Sequence, residues 1–481
     1  MIRIPGRLTA LCAAILPLLP LTTHATNGMN MEGYGPIAAA MGGASMAYDN
    51  GTAAMMNNPA TIGMMDDGKR LDVFFGFLGP DVESEAAGMT AKSDGDAYYM
   101  PAVGFVRKRE DLTYGIGIYG QGGMGTEYGT SSFMSMGAGL ENRTELSVGR
   151  VIAPLSYNVN DRLTVGGSID FVWAGLDLRM AVSEAQFANM ANPAAQNIGT
   201  ATGSLVSAFG MMYEPFGGAG ISRLDYAYFD YSNDNRFSGK ARGYGGAAKL
   251  GATYKLNDRL TIGGAYHSET NLGDMETDDA QIRMAVNADF GGGYQDYEIP
   301  VTGKIAVKDF QWPSTWGVGA AFQATDKLLL VGDIKRINWA DTMQDFRMVF
   351  SADATQANPL AGGFSGLELD AVLFQNWDDQ TVYQIGGAYQ VNKQLILRAG
   401  FNYAENPVPD RYLNALFPAI VESHITGGFG YGFNDKQSID FSLQHAPEVS
   451  ATNPGVPAAG IPAVTSKHSQ PSFQFIYSHR F

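Results

Sequence analysis

The chain has 481 residues, with 32 Lys and Arg against 48 Asp and Glu, a formal charge of -16 and a single cysteine. So acidic a chain does not neutralise phosphates, which excludes nucleic-acid binding through the backbone. One cysteine excludes intramolecular disulfides and thiolate metal sites. The 60 glycines, 23 tyrosines and 26 phenylalanines fit the Gly-rich strands and aromatic girdles of a β-barrel better than an acidic soluble secreted protein.

Residues 1–25 read as a secretory signal peptide: basic Arg3 and Arg7, an apolar stretch from Leu8 to Leu19, and a small-residue cleavage site at Thr23-His24-Ala25. The apolar stretch is shorter than the about 20 residues that span a bilayer as a helix. The mature chain would begin at Thr26. Cys12 lies within the leader after Leu11, which is not a lipoprotein pattern, so the mature chain has no thiol. Removing Arg3 and Arg7 leaves 30 basic residues against 48 acidic ones, a charge of -18.

Thr26 to Lys69 has no strand period. It is rich in Gly, Ala and Met, with eight of the 22 methionines between Met29 and Met65. Low charge argues against a disordered leader. Adaptable Met side chains and small residues that permit close backbone approach suit a compact plug inside a tube.

From Arg70 onward one hairpin unit recurs: Tyr157-Asn-Val-Asn-Asp-Arg-Leu163, Tyr254-Lys-Leu-Asn-Asp-Arg-Leu260, Phe322-Gln-Ala-Thr-Asp-Lys-Leu328, Tyr389-Gln-Val-Asn-Lys-Gln-Leu395, a degenerate Tyr431–Gln437 and an earlier Phe105–Leu112. Asn and Asp at these positions mark tight turns. The flanks alternate with period two: Leu163, Val165, Ile169, Phe171 and Trp173 oppose Thr164, Ser168 and Asp170. In a membrane the apolar face meets lipid and the polar face the lumen. Six turns join twelve strands. A first strand near Arg70–Gly79 and a last strand Pro471–Phe481 bring the expected total to fourteen. Long connections, Met180–Lys240, Ala340–Asp379 and Ala446–Gln470, would form the outer rim. The terminal strand aligns Phe473, Phe475, Tyr477 and Phe481, and the final Phe481 would engage the barrel-assembly machinery. No mature segment is apolar enough for a transmembrane helix, so a membrane crossing requires a closed barrel, which pairs every backbone group.

Several segments together resemble the FadL family of outer-membrane transporters for hydrophobic compounds. They are Met41-Gly-Gly-Ala-Ser-Met-Ala47 followed by Asp49, Asn58-Pro59-Ala60, Trp312-Pro-Ser-Thr-Trp-Gly317 and Asn406-Pro-Val-Pro409. The resemblance covers essentially the whole mature chain. It implies an all-β, fourteen-stranded antiparallel transmembrane barrel over 70–481 in the bacterial outer membrane, closed by an N-terminal hatch over 26–69. Passive uptake of hydrophobic compounds, foremost long-chain fatty acids, would follow, without ATP or a cofactor. Capture at outer loops, hatch movement and lateral exit into the membrane through a kinked third strand make up the implied route. The partners would be a hydrophobic small molecule, outer-membrane lipid and the assembly machinery, with the barrel monomeric.

On this basis the hatch is seated by Asn58, Pro59 and Ala60, with Gly42 and Gly43 in its Gly-rich turn. The strand-3 kink falls at Gly120, Gly122, Gly123 and Gly125, since Gly inside a strand marks bulges. Gly115-Ile-Gly-Ile-Tyr-Gly120 also fits a dinucleotide fingerprint formally, but strand alternation follows it rather than a helix. Capture falls to Phe187, Met190, Phe209, Met211, Met212 and Phe216, beside Leu205 and Val206. Arg150 and Arg398 are candidate partners for a ligand carboxylate. An aromatic-hydrocarbon channel of the same family and a general diffusion porin are the alternatives. The five mature histidines lie in no nucleophile motif, so no catalytic or metal site is expected.

Overall fold

The computed structural model describes residues 27–235 and 238–481. The expected signal peptide, residues 1–25, and the first mature residue, Thr26, lie outside the described residues. A closed circuit of antiparallel strands organises the rest. Its strands are β1 (Gly68–Leu78), β2 (Tyr98–Arg109), β3 (Leu112–Tyr128), β4 (Asn142–Asn158), β5 (Leu163–Ser183), β6 (Ile221–Tyr231), β7 (Ala241–Asn257) and β8 (Leu260–His267). They continue as β9 (Met275–Ala288), β10 (Thr315–Thr325), β11 (Leu328–Ile337), β12 (Gln380–Gln390), β13 (Leu395–Ala404), β14 (Ser423–Asn434), β15 (Gln437–Asn453) and β16 (Val464–Arg480). The circuit closes where β16 pairs with β1 in the register Arg70↔Arg480, and the Phe481 N–H donates to the Lys69 carbonyl oxygen at 2.9 Å.

The expected count of fourteen strands does not hold. β5 pairs with β7 from Leu163↔Tyr254 up to Leu176↔Ala241. Beyond that point β5 turns to β6, β6 pairs with β9, and β9 returns to β7 at Arg242↔Glu276. The circuit therefore runs through sixteen strands, with β6 and β9 wedged between β5 and β7 at one end. Further strands lie outside it. From β9 the sheet continues through Gln295–Lys308, Asp345–Ala352 and Glu368–Phe374 to Gly199–Thr202. These strands escaped sequence reading because charges such as Arg223, Asp225, Asp230, Asp278 and Asp279 interrupt their apolar positions. They sit in stretches read as outer loops or left between hairpins.

The five later hairpin turns share one mechanism. Asn160 Oδ1 accepts the N–H groups of Arg162 and Leu163, both at 2.9 Å. Asn257, Asn392 and Asn434 repeat this at their own turns, and the Thr325 hydroxyl does so at the turn between β10 and β11. A short side-chain acceptor closing its own turn is why these residues recur at one position.

Along the strands the burial pattern is the inverse of a water-soluble protein. Ile169 is 77% exposed, while the adjacent Asp170 is buried. The same inversion separates Leu250 from Lys249, Ile385 from Gln384 and Ile425 from Thr426. An apolar outer face around a polar inner one is the arrangement a lipid solvent requires.

Candidate ligand route

Residues 27–65 form a short helix, Pro36–Ala39, and two 3-10 helices, Gly51–Met55 and Pro59–Met64, nearly all buried. Inward-pointing polar groups of the strands hold this segment. Asp333 on β11 accepts the backbone N–H of Met46 at 3.0 Å, and Ser45 donates to the same oxygen. Asp72 on β1 accepts from Thr52 at 2.8 Å and from Arg70 at 2.9 Å. Gly42 donates to Thr426 Oγ1 at 3.0 Å, while Asn402 donates to the Gly42 carbonyl at 3.2 Å. Gly42 has φ +71, and a Cβ there would collide with the Phe401 carbonyl. Gly43, at φ +85, lies against the Glu32 carbonyl. Asn58 caps the second 3-10 helix by accepting from Ala60 N–H at 3.1 Å, and donates to the Met46 and Ala252 carbonyls at 2.7 and 3.3 Å. One side chain thus joins two parts of the segment to β7.

The expected strand-3 glycines sit at a break in the wall. β2 and β3 pair only from Arg109↔Leu112 to Val103↔Ile118, although β3 runs on to Tyr128. A bulge separates Gly120 from Gly122. Past Ile118 no residue of β3 pairs with β2. Part of the freed edge is taken by the N-terminal segment: Gly123 N–H donates to the Met29 carbonyl at 3.2 Å, and Asn30 bridges to Gly122. A Cβ on Gly122 would collide with that same Met29 oxygen, so the close approach requires glycine there.

Beside this gap lies a cavity of about 270 Å3. Its walls include Met29, Tyr99, Met100 and Pro101, the β3 glycines, Leu146, Val148 and Trp173, with Glu32, His468 and Gln470 also present. A second cavity of about 20 Å3 shares Met29 and Leu146 with the first and adds Phe346, Trp377 and Phe417. A third, about 60 Å3, shares Met180 and Leu373 with the second, and all its walls are apolar side chains. Three mainly apolar cavities thus adjoin one another in series. Next to Met29, Trp312, Trp339 and Trp377 stack edge to face at 5.6 and 5.3 Å, and the Trp339 ring fills the Cβ position of Gly28.

The expected capture residues fall at the far end of the series on two helices, Glu184–Ala191 and Ser204–Met212, and the turn after them. Phe187, Met190, Leu205, Val206 and Phe209 line the third cavity, with Phe187 and Phe209 edge to face at 5.3 Å. Met212 is half-buried, whereas Met211 and Phe216 are exposed and line a shallow groove outside. The group therefore divides into an inward and an outward set. Arg150 donates to Asp170 at 3.0 Å, and Lys249 donates to the same carboxylate. Arg398 donates to Asp440 at 2.7 Å. Neither arginine lines one of the three cavities.

Sequence reading missed Met29, Leu146, Met180, Phe346, Trp377 and Phe417. A signal was present on β5, whose inward residues change from Thr164, Ser168 and Asp170 to Val172, Ala174, Leu176 and Leu178, all buried. An inward face turning apolar marks the stretch where the lumen is lined for something other than water. Glu32 was also missed. It is 1% exposed, its Oε2 lies 3.8 Å from His424 Nε2 and its Oε1 has no hydrogen-bond partner. Burial pushes its carboxyl up to about 7, with Lys335 opposing the shift.

The chain matches a family model described as outer membrane protein transport protein (OMPP1/FadL/TodX) over residues 24–459. The Pseudomonas putida toluene transporter TodX is 29% identical, with a TM-score of 0.76, over 94% of this chain and 99% of that one. The Ralstonia pickettii toluene transporter TbuX is 29% identical with a TM-score of 0.72 over the same shares. A Pseudomonas aeruginosa FadL homologue, 15% identical, shares the fold with a TM-score of 0.68 over 94% of this chain and 100% of that one. A curated Chlorobium limicola relative, an uncharacterized protein in the phosphoenolpyruvate carboxykinase gene 5' region, is 45% identical over 101 residues. These are 20% of this chain and 49% of that protein, so the match spans about half the relative's length.

Proposed function

The chain belongs to the outer membrane protein transport protein family (OMPP1/FadL/TodX), and from that premise we propose that it carries small uncharged hydrophobic compounds along the three adjoining cavities and out between β2 and β3. As a family member it is an outer-membrane β-barrel protein for transport of hydrophobic compounds. The observation that carries the finer reading is the sharing of walls: Met180 and Leu373 join the third cavity to the second, and Met29 and Leu146 join the second to the first. A ligand captured at Phe187, Met190 and Phe209, with Met211, Met212 and Phe216 around the outer groove, enters an apolar series that ends at a break in the wall. The segment 26–69 acts as the hatch, seated by Asn58, Pro59, Ala60, Gly42 and Gly43. Gly120, Gly122, Gly123 and Gly125 form the exit, where lipid receives the ligand.

Fatty acids fit less well than aromatic hydrocarbons. A buried carboxylate needs a cation or several donors, and no Lys or Arg lines the cavities among the described residues. The two relatives described as toluene transporters favour the same substrate class. A diffusion porin would need a hydrated pore, which the apolar walls oppose. Uptake of radiolabelled p-xylene and of oleate by cells with and without the protein tests the reading. Faster p-xylene uptake supports it. Acceleration of oleate alone restores the fatty-acid reading, and no acceleration of either refutes the route.

A further inference from the structure

The cavity beside the β2–β3 gap is apolar over most of its wall but not at one corner. Glu32, His468 and Gln470 meet there, and each is buried. Their hydrogen bonding gives the corner a definite sense. His468 Nδ1 lies 3.0 Å from the Pro418 carbonyl oxygen. A carbonyl only accepts, so Nδ1 carries the proton and Nε2 of the neutral ring is an acceptor. Gln470 donates its Nε2 amide to Ser472 Oγ at 3.1 Å, and its side chain is also engaged with His468. Glu32 Oε1 has no partner, and a carboxyl keeps an accepting oxygen whether it is ionised or protonated on the other oxygen. Two buried acceptors, Glu32 Oε1 and His468 Nε2, thus lie on this wall without a partner, and no Lys or Arg among the described residues lines the cavity. The other acid on the wall, Glu145, is held by Arg143 at 2.8 Å, and that arginine does not line the cavity. A buried acceptor left unpaired is costly, so the corner favours an occupant that brings a donor.

We propose that this cavity prefers uncharged hydrophobic compounds carrying a hydrogen-bond donor, such as a phenolic or benzylic hydroxyl, over the plain hydrocarbon, and that it turns carboxylates away. The hydroxyl donates to Glu32 Oε1 or His468 Nε2, while the ring lies against Met29, Leu146, Val148 and Trp173. A carboxylate would instead bring its own acceptors to an acceptor-lined corner beside two acids. At about 270 Å3 the space far exceeds the 10–15 Å3 or so that one water needs. This inference rests on the transport reading above and narrows its substrate.

The test uses the purified full-length mature barrel in detergent at neutral pH, with p-cresol, p-xylene and p-toluate as near-isosteric probes in calorimetric titrations. The expected result is p-cresol binding about tenfold tighter than p-xylene, as one well-made buried hydrogen bond provides, with p-toluate weakest. In Glu32→Leu and in His468→Leu the p-cresol to p-xylene ratio falls toward one. Glu32→Gln, which keeps an acceptor oxygen, holds part of it. Equal binding of p-cresol and p-xylene, or tightest binding of p-toluate, overturns the proposal even if no variant folds, because the unsubstituted protein decides it. If p-xylene uptake by cells is accelerated but the preference is absent, only this inference fails. If no probe binds and none is taken up, the route reading fails with it.

Discussion

Gly123 donates its backbone N–H to the carbonyl oxygen of Met29 across 3.2 Å, so the start of the buried segment takes a hydrogen bond that the neighbouring strand would otherwise make. The break in the wall and the end of the segment are one feature. A backbone group freed from a ladder must find another partner, and Met29 supplies it while also lining two of the cavities.

Gly122→Val tests this junction. Its side chain collides with the Met29 oxygen, at a cost of about 1–3 kcal/mol for overpacking. The displaced population of the segment start should rise about tenfold or more. Limited proteolysis should cut near residues 27–35 correspondingly faster, while heat-modifiable gel mobility still reports a folded barrel. Unchanged cleavage would show that Met29 is held by other contacts.

Asn58→Ala removes three hydrogen bonds, the buried ones to Ala60 and Met46 and the partly buried one to Ala252. About 1–3 kcal/mol of seating should be lost for the carbonyls left unpaired. Uptake of p-xylene should fall severalfold with membrane insertion unaltered. Equal uptake would separate the cap from transport.

Gly120→Phe should block the exit. A side chain at Gly120 meets only the flexible end of Met100, so the barrel tolerates the change while the ring fills the gap. Uptake should drop about tenfold or more, comparable to losing the favourable burial of one aromatic ring. Full uptake would place the exit elsewhere.

Glu32 gives the segment a pH dependence. Its carboxyl is raised from 4.5 to about 7 by burial. The seated form therefore binds the proton more tightly than the released form. The stabilisation is complete below about pH 4.5 and is lost as pH rises through about 7. The groups around Glu32 are His424 at 3.8 Å, Gln384 donating to its backbone carbonyl, Lys335, Tyr34 and, on the wall of the same cavity, His468. Amide protection factors of residues 28–35, corrected for the intrinsic exchange rate at each pH, should be higher at pH 5 than at pH 8, and Glu32→Gln should flatten that difference. A variant with the same pH profile would assign it to another group.

Much of this protein was legible before folding. The recurrent Asn and Thr turns and the alternation of Ile169 against Asp170 are local, because turn geometry and strand pleat act over a few residues. They determined a membrane barrel with its apolar face outward. The glycines from Gly120 to Gly125 fall where β3 carries a bulge and no longer pairs with β2. Only the tertiary structure decided that sixteen strands complete the circuit, since β6 and β9 earn their places by pairing with β5 and β7 across long sequence separations. It alone decided that Met29 lies on Gly123, that Arg150 is taken by Asp170, and that Glu32, His468 and Gln470 share one corner. Those relations join residues 20 to more than 400 positions apart, and no local pattern carries the register that brings them together.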